Sequence, residues 1–211
     1  MAYPSVRGIL YRRAREEAAD FAMAHIEKAM LFGGTEEIRR YAIGQIAQTT
    51  GLFLEFGVHW GESINFFADI LAKRDSSAII HGFDSFEGLR DSWYGTHMPP
   101  RHFSHGGKMP PVRKNVVLHK GWVQDTLADF LAKQPGPISF VHMDLDTYES
   151  TKFALELLKE RISKDCIVLF DEFYGYPNWR QGEYRAVVEV FGENAFEYIA
   201  FSDEKVAVRV R

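Results

Sequence analysis

The sequence predicts an α/β fold with a doubly wound, mostly parallel sheet of about seven strands. Short apolar runs typical of strands buried on both faces alternate with amphipathic runs at helical spacing. A glycine-containing turn follows the first of these strands, as it does in sheets that bind ligands at the carboxyl ends of their strands. Two alternating runs, 196–201 and 205–210, close the chain and predict an antiparallel hairpin.

The composition is that of one globular domain with a substantial core. The chain has 211 residues, of which 46% are hydrophobic and 26% are charged. We expect residues 1–50 to form an N-terminal helical extension and residues 51–211 to form the α/β domain. The single cysteine, Cys166, lies in a strand-like apolar run and is predicted to be a buried thiol.

Charge and hydropathy exclude several classes of partner. The net charge of −4 argues against a broad nucleic-acid surface or an anionic membrane as a partner, so a small molecule is expected instead. No apolar run is long enough for a signal peptide or a membrane span, which makes a cytoplasmic location the expectation.

Two helices are predicted in the extension. The first covers 9–32 and is ended by Gly33 and Gly34. The second begins at Thr35, the predicted N-cap, and has an apolar face made of Ile38, Tyr41, Ala42 and Ile46. These helices are expected to cover a sheet edge, to help bind substrate, or to pack against another subunit, so a homo-oligomer stays open.

The first strand of the α/β domain leads into a turn that suits a cofactor. Gly57 allows a sharp turn after the strand, and Gly61 allows a ligand or the next helix to approach the backbone. Main-chain N–H groups and the positive end of a helix favour the polar or anionic part of a ligand. Packing alone would also explain such glycines, and the G-x-G-x-x-G fingerprint of dinucleotide sites is absent.

An acid at the end of the next strand strengthens the cofactor interpretation. Asp84 ends the run 77–84, where an acid in this kind of sheet binds the hydroxyl pair of a ribose. The alternative is that Asp84 only caps the following turn. A third strand is predicted at 115–119, and a turn at Gly121 leads into a helix that ends near residue 132.

Two pairs of acids follow two neighbouring apolar runs. Asp144 and Asp146 come after the run 138–143, and their spacing in an extended segment would point both side chains the same way. Asp171 and Glu172 come after 166–170. If the two runs are adjacent parallel strands, all four acids gather at one edge of the sheet and favour a divalent cation. The alternative is that they cap helices or pair with basic side chains.

The segment 90–114 shows no periodicity and is predicted to be a functional loop. Its glycines and prolines prevent regular structure, while its aromatic residues favour a lid over the pocket. One of its histidines, His97, His102 or His105, is a candidate base or metal ligand, although substrate or surface contact is the simpler role. Two further helices are predicted at 148–159 and 183–191.

Five blocks carry a resemblance that covers about residues 52–211. They are Glu55-Phe-Gly-Val-His-Trp-Gly-Glu-Ser63, Gly82-Phe-Asp-Ser-Phe-Glu-Gly-Leu89, Gly121 to Leu127, Asp144-Leu-Asp-x-Tyr-Glu-Ser-Thr151, and Asp171-Glu172. Their order and spacing resemble the macrocin O-methyltransferase family of class I S-adenosylmethionine-dependent methyltransferases. The resemblance implies a Rossmann-like sheet, S-adenosylmethionine and Mg2+ as cofactors, and a small hydroxylated acceptor.

The same resemblance implies roles for individual residues. The cofactor set it implies is Glu55, Gly57, Gly61, Ser63, Asp84, Gly121, Gln124 and Asp144. Glu55 and the two glycines would shape the methionine end, Ser63 would lie near its carboxylate, and the turn from Gly121 would lie near the adenine. The metal set is Asp144, Asp171 and Glu172, with Asp146 as the catalytic base. Glu172 departs from the pattern, because many relatives have a second Asp there.

These residues are suited to methylation of a hydroxyl group. A hydroxyl is a poor nucleophile until it loses its proton, and an isolated Asp is a weak base, so a metal that lowers the hydroxyl pKa is expected to help Asp146. The predicted function is therefore Mg-dependent O-methylation of a small molecule or a glycosylated natural product. The alternatives are a metal-dependent glycosyltransferase that uses a nucleotide sugar, and a non-catalytic cofactor-binding module.

Overall fold

The structure, a computed structural model, describes residues 5–47 and 49–211. The helices are α1 (Val6–His25), α2 (Thr35–Gly44), α3 (Glu62–Arg74), α4 (Val123–Lys133), α5 (Tyr148–Leu158) and α6 (Glu183–Phe191). The strands are β1 (Met30–Leu31), β2 (Leu52–Phe56), β3 (Ile80–Asp84), β4 (Val116–Lys120), β5 (Ile138–Met143), β6 (Ile162–Phe170), β7 (Phe196–Phe201) and β8 (Val206–Val210). Short 3₁₀ turns occur at Ile26–Lys28 and Trp179–Gln181.

The strands form one mixed sheet in the order β1-β7-β8-β6-β5-β2-β3-β4. All neighbouring strands are parallel except β8, which is antiparallel to both β6 and β7. From β2 the chain first builds outward through β3 and β4, and then crosses to β5 on the other side. This reversal places a crevice at the carboxyl ends of β2 and β5. The strand order and the antiparallel β8 confirm the predicted doubly wound fold with its antiparallel C-terminal hairpin.

One edge of the sheet differs from the prediction. The first helix ends at His25 rather than near residue 32, and Met30 pairs with Ala200 of β7 to begin the short strand β1. The sheet therefore has eight strands among the described residues, whereas about seven were predicted from the chain's periodicity. The residues of β1 have helical spacing in the sequence, but they pair with a strand that is distant in the chain. Sequence periodicity cannot reveal such a pairing.

The helices cover both faces of the sheet. On one face, α4, α5 and α6 pack on the central strands, and α1 adds three small buried residues, Ala14, Ala18 and Ala22. On the other face, α2 and α3 contribute side chains that include Ile38, Ala42, Ile43, Ile64 and Phe67. The division at residue 50 stays a prediction, although both helices of the proposed extension pack directly on the sheet.

The second helix begins differently from the prediction. Gly34 occupies the N-cap position, and Thr35 is the first helical residue, with no side-chain cap. Of its predicted apolar face, Ile38 and Ala42 are buried and Tyr41 is half-buried, whereas Ile46 is buried beyond the end of the helix at Gly44.

Cys166 is buried as predicted, and burial raises the pKa of its thiol. None of the described helices is long and apolar enough to cross a bilayer.

Candidate active site

A cavity of about 380 Å³ opens at the carboxyl ends of β2, β3, β5 and β6. Most of the side chains that the sequence singled out meet here. Its lining includes Gly57, Asp84, Gly121, Gln124, Asp144, Asp146, Asp171 and Glu172. Because β5 and β6 are adjacent and parallel, the two acid pairs lie at the same sheet edge, as the sequence predicted.

The turn at Gly57 brings the first strand against the acid-bearing strand. Gly57 has φ +83°, and a Cβ atom built on it would lie 1.8 Å from the main-chain oxygen of Asp144. The Asp144 N–H donates to the Phe56 oxygen at 2.9 Å, so the two segments are held at this spacing. Any larger residue at position 57 would push Asp144 out of the site.

Asp84 organises the same turn from the neighbouring strand. Its Oδ2 atom accepts hydrogen bonds from the N–H groups of Val58 at 2.9 Å and His59 at 2.8 Å, and its Oδ1 atom accepts from Phe86 N–H at 2.6 Å. Asp84 also lines the cavity. The turn-capping role that the sequence left open is therefore present, and ribose binding by the same carboxylate stays a prediction.

Asp144 and Asp146 come together by a route that the sequence did not predict. β5 ends at Met143, so the strand alternation expected for these two acids does not apply. A tight turn replaces it: Asp146 has φ +60°, and Thr147 N–H donates to the Leu145 oxygen at 2.5 Å. A non-glycine residue rarely adopts this conformation, and such strained positions cluster at functional sites.

Three of the acids form a compact group at the floor of the cavity. One carboxylate oxygen from each of Asp144, Asp146 and Glu172 lies within 4.8 Å of the other two. We call these three residues the upper acids. Burial, followed by repulsion from Asp171, raises the pKa of Asp144 to about 7. Burial and the neighbouring carboxylates also raise the pKa of Asp146 and of Glu172 well above the ordinary range.

A second set of polar groups lies directly beneath them. We call it the lower network, and its members are Ser63, Glu55, His142, Asp171, Arg39 and Lys205. Ser63 donates to Glu55 at 3.0 Å, and the two His142 ring nitrogens lie 3.0 Å from Glu55 and 3.3 Å from Asp171. Lys205 and Arg39 donate to Asp171 at 2.7 and 3.4 Å.

The lower network holds its charges by mutual pairing. Burial alone would lower the pKa of His142, but the hydrogen bonds that His142 donates to Asp171 and Glu55 outweigh burial and raise the pKa to about 9. Burial would likewise raise the pKa of Asp171, yet His142, Lys205 and Arg39 hold it well below its usual range. A protonated His142 and an ionised Asp171 therefore stabilise each other.

Three predicted cofactor residues do not line the cavity. Glu55 and Ser63 are buried in the lower network, and Gly61 lies at the start of α3, where a Cβ atom would lie 3.3 Å from Pro110. A direct contact between these residues and a ligand stays a prediction. Glu55 and Ser63 support the floor of the site through their hydrogen bonds in the lower network.

The loop at 90–114 covers one side of the cavity, as its aromatic residues suggested. Arg90, Trp93, Met98 and Phe103 are among the lining residues. None of its three histidines is among them, and His105 stacks on Trp60 with ring centroids 3.6 Å apart.

Sequence reasoning missed two residues near the site, His59 and Glu183. His59 follows the glycine turn and lines the cavity. Glu183 is the first residue of α6, is completely buried, and has Asp144, Asp146 and Asp171 as charged neighbours. An acid in the first turn of a helix is common for reasons of helix polarity, so the sequence carried no signal of this placement.

The fold agrees with comparisons to known proteins. Residues 54–173 match a family model described as a methyltransferase domain, which is more than half of the chain. The chain belongs to the methyltransferase domain family. A curated relative is the 8-demethyl-8-(2,3-dimethoxy-alpha-L-rhamnosyl)-tetracenomycin-C 4'-O-methyltransferase of Streptomyces olivaceus, 30% identical over 141 residues. The match covers 58% of this chain and 53% of that relative, so the chain spans about half the length of the curated protein it matches.

Solved structures show the same fold. A calicheamicin methyltransferase superposes with a TM-score of 0.71 at 23% identity, covering 99% of this chain and 94% of that one. An apo structure of that enzyme is described as a TDP-rhamnose 3'-O-methyltransferase and superposes with a TM-score of 0.63. An O-methyltransferase from Bacillus cereus in complex with SAH gives a TM-score of 0.55 at 14% identity, covering 99% and 93% of the two chains.

The upper acids fit a hard divalent cation. Carboxylate oxygens are the ligands that Mg2+ prefers, and three carboxylates supply them within a small volume. The Glu172 Oε2 atom is buried and has no hydrogen-bond partner among the described residues. Mutual repulsion and an orphaned buried oxygen are both relieved when a cation is bound.

Proposed function

We propose that this protein is an S-adenosylmethionine-dependent O-methyltransferase that methylates a sugar hydroxyl of a small glycosylated molecule, with Mg2+ at Asp144 and Glu172 and with Asp146 as the base. The observation that carries the proposal is the compact group of Asp144, Asp146 and Glu172 at the floor of a cavity in a methyltransferase-domain fold. Metal-assisted removal of a hydroxyl proton needs such a group beside the cofactor site.

The cofactor would occupy the part of the cavity between the Gly57 turn and α4. Asp84 lies where a ribose is held in related sheets, and the carboxylate is already fixed by three main-chain N–H groups. Gln124 lines the cavity and carries a buried Oε1 atom without a hydrogen-bond partner in the described chain. That free acceptor suits the amino group of an adenine, and Trp122 beside it offers a ring face.

S-adenosylmethionine supplies a methyl group on a positively charged sulfur, which leaves as a neutral thioether. Alignment of this methyl with the acceptor oxygen is the main task of the protein and can be worth about 7–11 kcal/mol. The rigid floor formed by the lower network serves this task, because it fixes Asp144 and Asp171 at adjacent strand ends.

Asp146 would take the proton of the acceptor hydroxyl. Burial, the largest cause, raises the pKa of Asp146 and makes its carboxylate a stronger base than an exposed Asp. The turn that gives Asp146 its positive φ presents the carboxylate at the boundary between the large cavity and a smaller neighbouring recess. Mg2+ at Asp144 and Glu172 would lower the pKa of the hydroxyl, which would make the proton easier for Asp146 to accept.

The smaller recess is the proposed acceptor site. It has a volume of about 120 Å³ and shares Asp146 and Trp93 with the larger cavity. Tyr94, Tyr148, Asn178, Gln181 and Arg185 also line it. Aromatic faces interleaved with amide and guanidinium groups suit a sugar ring with several hydroxyls. The curated Streptomyces relative, named for methylation of a rhamnosyl 4'-oxygen, supports this acceptor class.

The proposal is tested by separating cofactor binding from turnover. Calorimetric titration is expected to show S-adenosylmethionine binding to the wild type and, within about twofold, to Asp146→Asn. Methyl transfer to a panel of rhamnosylated acceptors is expected to fall at least ~100-fold in Asp146→Asn and to stop when a chelator removes divalent cations. Asp129→Asn, an exposed acid on α4, is the matched control and is expected to retain full activity.

Four outcomes would overturn parts of the proposal. Absence of S-adenosylmethionine binding would remove the cofactor, and transfer from a labelled nucleotide sugar would favour a glycosyltransferase. Full activity in the presence of chelator would remove the metal. Binding of the cofactor with no turnover across the acceptor panel would leave a cofactor-binding module.

A further inference from the structure

Trp93, in the 90–114 loop, lies at the junction between the larger cavity and the smaller recess. Among the described residues, Trp93 and Asp146 are the two that line both spaces. Asp146 is the proposed base. Trp93 is therefore the other wall of the place where the methyl group and the acceptor oxygen have to meet, and no sequence motif assigns it a role there.

The main chain around Trp93 is held in a tight turn. The Trp93 N–H donates to the Met98 oxygen at 3.0 Å, and the Trp93 oxygen accepts from the Thr96 hydroxyl at 2.7 Å. Gly95 has φ +94°, and a Cβ atom built on it would lie 1.9 Å from the main-chain oxygen of Pro177. The turn therefore packs closely against a second loop, and these contacts fix the point from which the indole extends.

The Trp93 side chain is packed rather than exposed to solvent. Trp93 is 8% exposed, and its ring lies edge-to-face with the Tyr176 ring, with centroids 5.3 Å apart. The Trp93 N–H and the Tyr176 hydroxyl interact without reaching hydrogen-bond geometry, and both are buried with no other partner in the described chain. An unsatisfied buried donor on a residue that lines a cavity is an independent sign that a ligand binds there.

Tyr176 supports the indole from behind. It is 2% exposed, and a Cβ atom built on Gly182 would lie 2.0 Å from its hydroxyl oxygen. The close approach to Gly182 leaves the Tyr176 ring little room to move. A ligand in the recess therefore meets an indole that is backed by packed side chains and does not give way easily.

The wall of the junction decides which hydroxyl of a sugar can react. A sugar ring carries several hydroxyls of similar chemistry, so a base alone does not select one of them. Transfer requires the reacting atoms to lie about 3–3.5 Å apart and in line. The hydroxyl that reacts is the one that reaches Asp146 and the methyl group together, and Trp93 limits the ring orientations that allow this.

We propose that Trp93 is a specificity-determining residue: its indole restricts how the acceptor sugar lies at the junction, so that one hydroxyl is presented to Asp146. An aromatic ring suits this role, because it offers a large, rigid surface to the C–H groups of a sugar. The inference rests on the proposed function, since it requires a sugar in the smaller recess. The transfer itself is unchanged, and Asp146 still receives the hydroxyl proton.

The position of the methyl group on the product tests the inference. With a rhamnosylated acceptor, the wild type is expected to methylate one hydroxyl, as shown by NMR of the product. Trp93→Ala is expected to give a mixture of positions and to lower kcat about 100-fold, because a misplacement of about 1 Å can cost that much. Trp93→Phe keeps an aromatic wall and is expected to restore the single position and most of the rate.

Tyr94→Ala is the matched control. Tyr94 is the next residue in the loop, is 69% exposed, and lines the smaller recess but not the larger cavity. Removal of its ring is expected to raise the KM for the acceptor and to leave the methylated position unchanged. S-adenosylmethionine affinity in Trp93→Ala, measured by calorimetry, should change much less than kcat, because Trp122 and Gln124 are intact.

Product analysis also separates this role from a structural one. A residue that merely supports the fold would lower the melting temperature and the rate without changing the product. A single, wild-type position of methylation in Trp93→Ala therefore overturns the inference, whatever the rate. If Trp93→Ala does not fold, Trp93→Leu, which fills more of the space, decides by the same product analysis.

The inference and the proposed function fail in different ways. A wild type that methylates several hydroxyls of the acceptor refutes the inference while the activity stands. If the wild type transfers no methyl group, the proposed activity fails, and saturation-transfer NMR of a rhamnoside decides the inference. Transfer from irradiated aromatic protons to the sugar that falls more in Trp93→Ala than in Tyr94→Ala supports the contact at Trp93. An equal or smaller fall in Trp93→Ala overturns it.

Discussion

The lower network and the upper acids are two neighbouring layers of charged side chains. They differ in how their charges are paired. In the lower network, Glu55, His142 and Asp171 form a continuous chain in which each charge has a partner. Among the upper acids, the Glu172 Oε2 atom is buried without a hydrogen-bond partner in the described chain. Proteins leave few buried polar atoms unpaired. We therefore infer that the charges of the lower network are paired by folding, whereas the upper acids are paired when a ligand binds.

The two layers depend on each other. The lower network joins β2, β5 and the end of β6 through Glu55, His142 and Asp171, and it reaches α2 through Arg39. Two of these elements carry the upper acids, because Asp144 and Asp146 follow β5 and Glu172 follows β6. Paired charges beneath the site allow like charges to be held together above them until a cation binds, which is how a preorganised site is usually supported.

The largest effect is expected from breaking the lower network. His142→Leu leaves Glu55 and Asp171 buried without the charge between them, and loss of one partner from a buried charge network costs about 3–5 kcal/mol. Urea unfolding should show this decrease in the free energy of unfolding. His97→Leu, at an exposed histidine of the loop, is the control and should cost less than ~0.5 kcal/mol. If His142→Leu lowers the free energy of unfolding no more than the control does, the lower network does not stabilise the fold.

The upper acids are expected to make stability fall as pH rises. The pKa of Asp144 is raised from 3.8 to about 7, so the folded protein binds this proton more tightly than the unfolded chain does. That stability is fully present below pH 4 and is lost as pH rises toward 7. Because Asp144 is half-buried beside the cavity, we expect about 1–3 kcal/mol rather than the full value of the shift.

The difference between wild type and Asp144→Asn isolates this contribution. Without divalent cations, the variant should gain stability relative to the wild type across pH 4–7, as measured by urea unfolding at several pH values. His142 contributes in a different window, because its pKa is raised to about 9 and its stabilisation is lost only as pH rises toward that value. A constant difference between wild type and variant from pH 4 to 7 would contradict the raised pKa.

Local patterns in the sequence were enough to predict the general position of the site. The strand ends before Asp144 and Asp171 and the glycine turn are each encoded within a few residues, and the sheet order brings them together. The partners of Asp171 are not local: Lys205 lies 34 positions away and Arg39 lies 132 positions away. The sequence therefore could not show that both Asp171 oxygens pair with basic side chains, and the metal role that the family resemblance implies for Asp171 stays a prediction.

Turn geometry and helix packing are the second limit on what could be predicted from the sequence. The positive φ of Asp146 depends on a tight turn with no glycine to mark it, and the burial of Glu183 depends on how α6 packs against the strand ends. Neither is visible as periodicity or motif. The sequence analysis therefore missed features that are set by tertiary packing. These are the places where local sequence preference and the fold disagree.

A smaller effect is expected when a cation completes the upper layer. At pH 8, Mg2+ at ten times its dissociation constant should stabilise the folded wild type by about 1.4 kcal/mol. Thermal unfolding with and without Mg2+ measures this. Asp144→Asn should lose most of the Mg2+ response, whereas Asp129→Asn, on exposed α4 surface, should keep it. An equal Mg2+ response in all three proteins would place the cation outside the upper acids.

The smallest effect is expected at the far end of the lower network. Ser63 donates one hydrogen bond to Glu55 at 3.0 Å, and Glu55 keeps its contact with His142 when that donor is removed. Ser63→Ala should therefore cost about 1 kcal/mol in urea unfolding. Because Ser63 does not line the cavity, Mn2+ affinity in Ser63→Ala should match the wild type. A Mn2+ affinity that falls in Ser63→Ala would show that the two layers are coupled more tightly than their separate hydrogen bonding indicates.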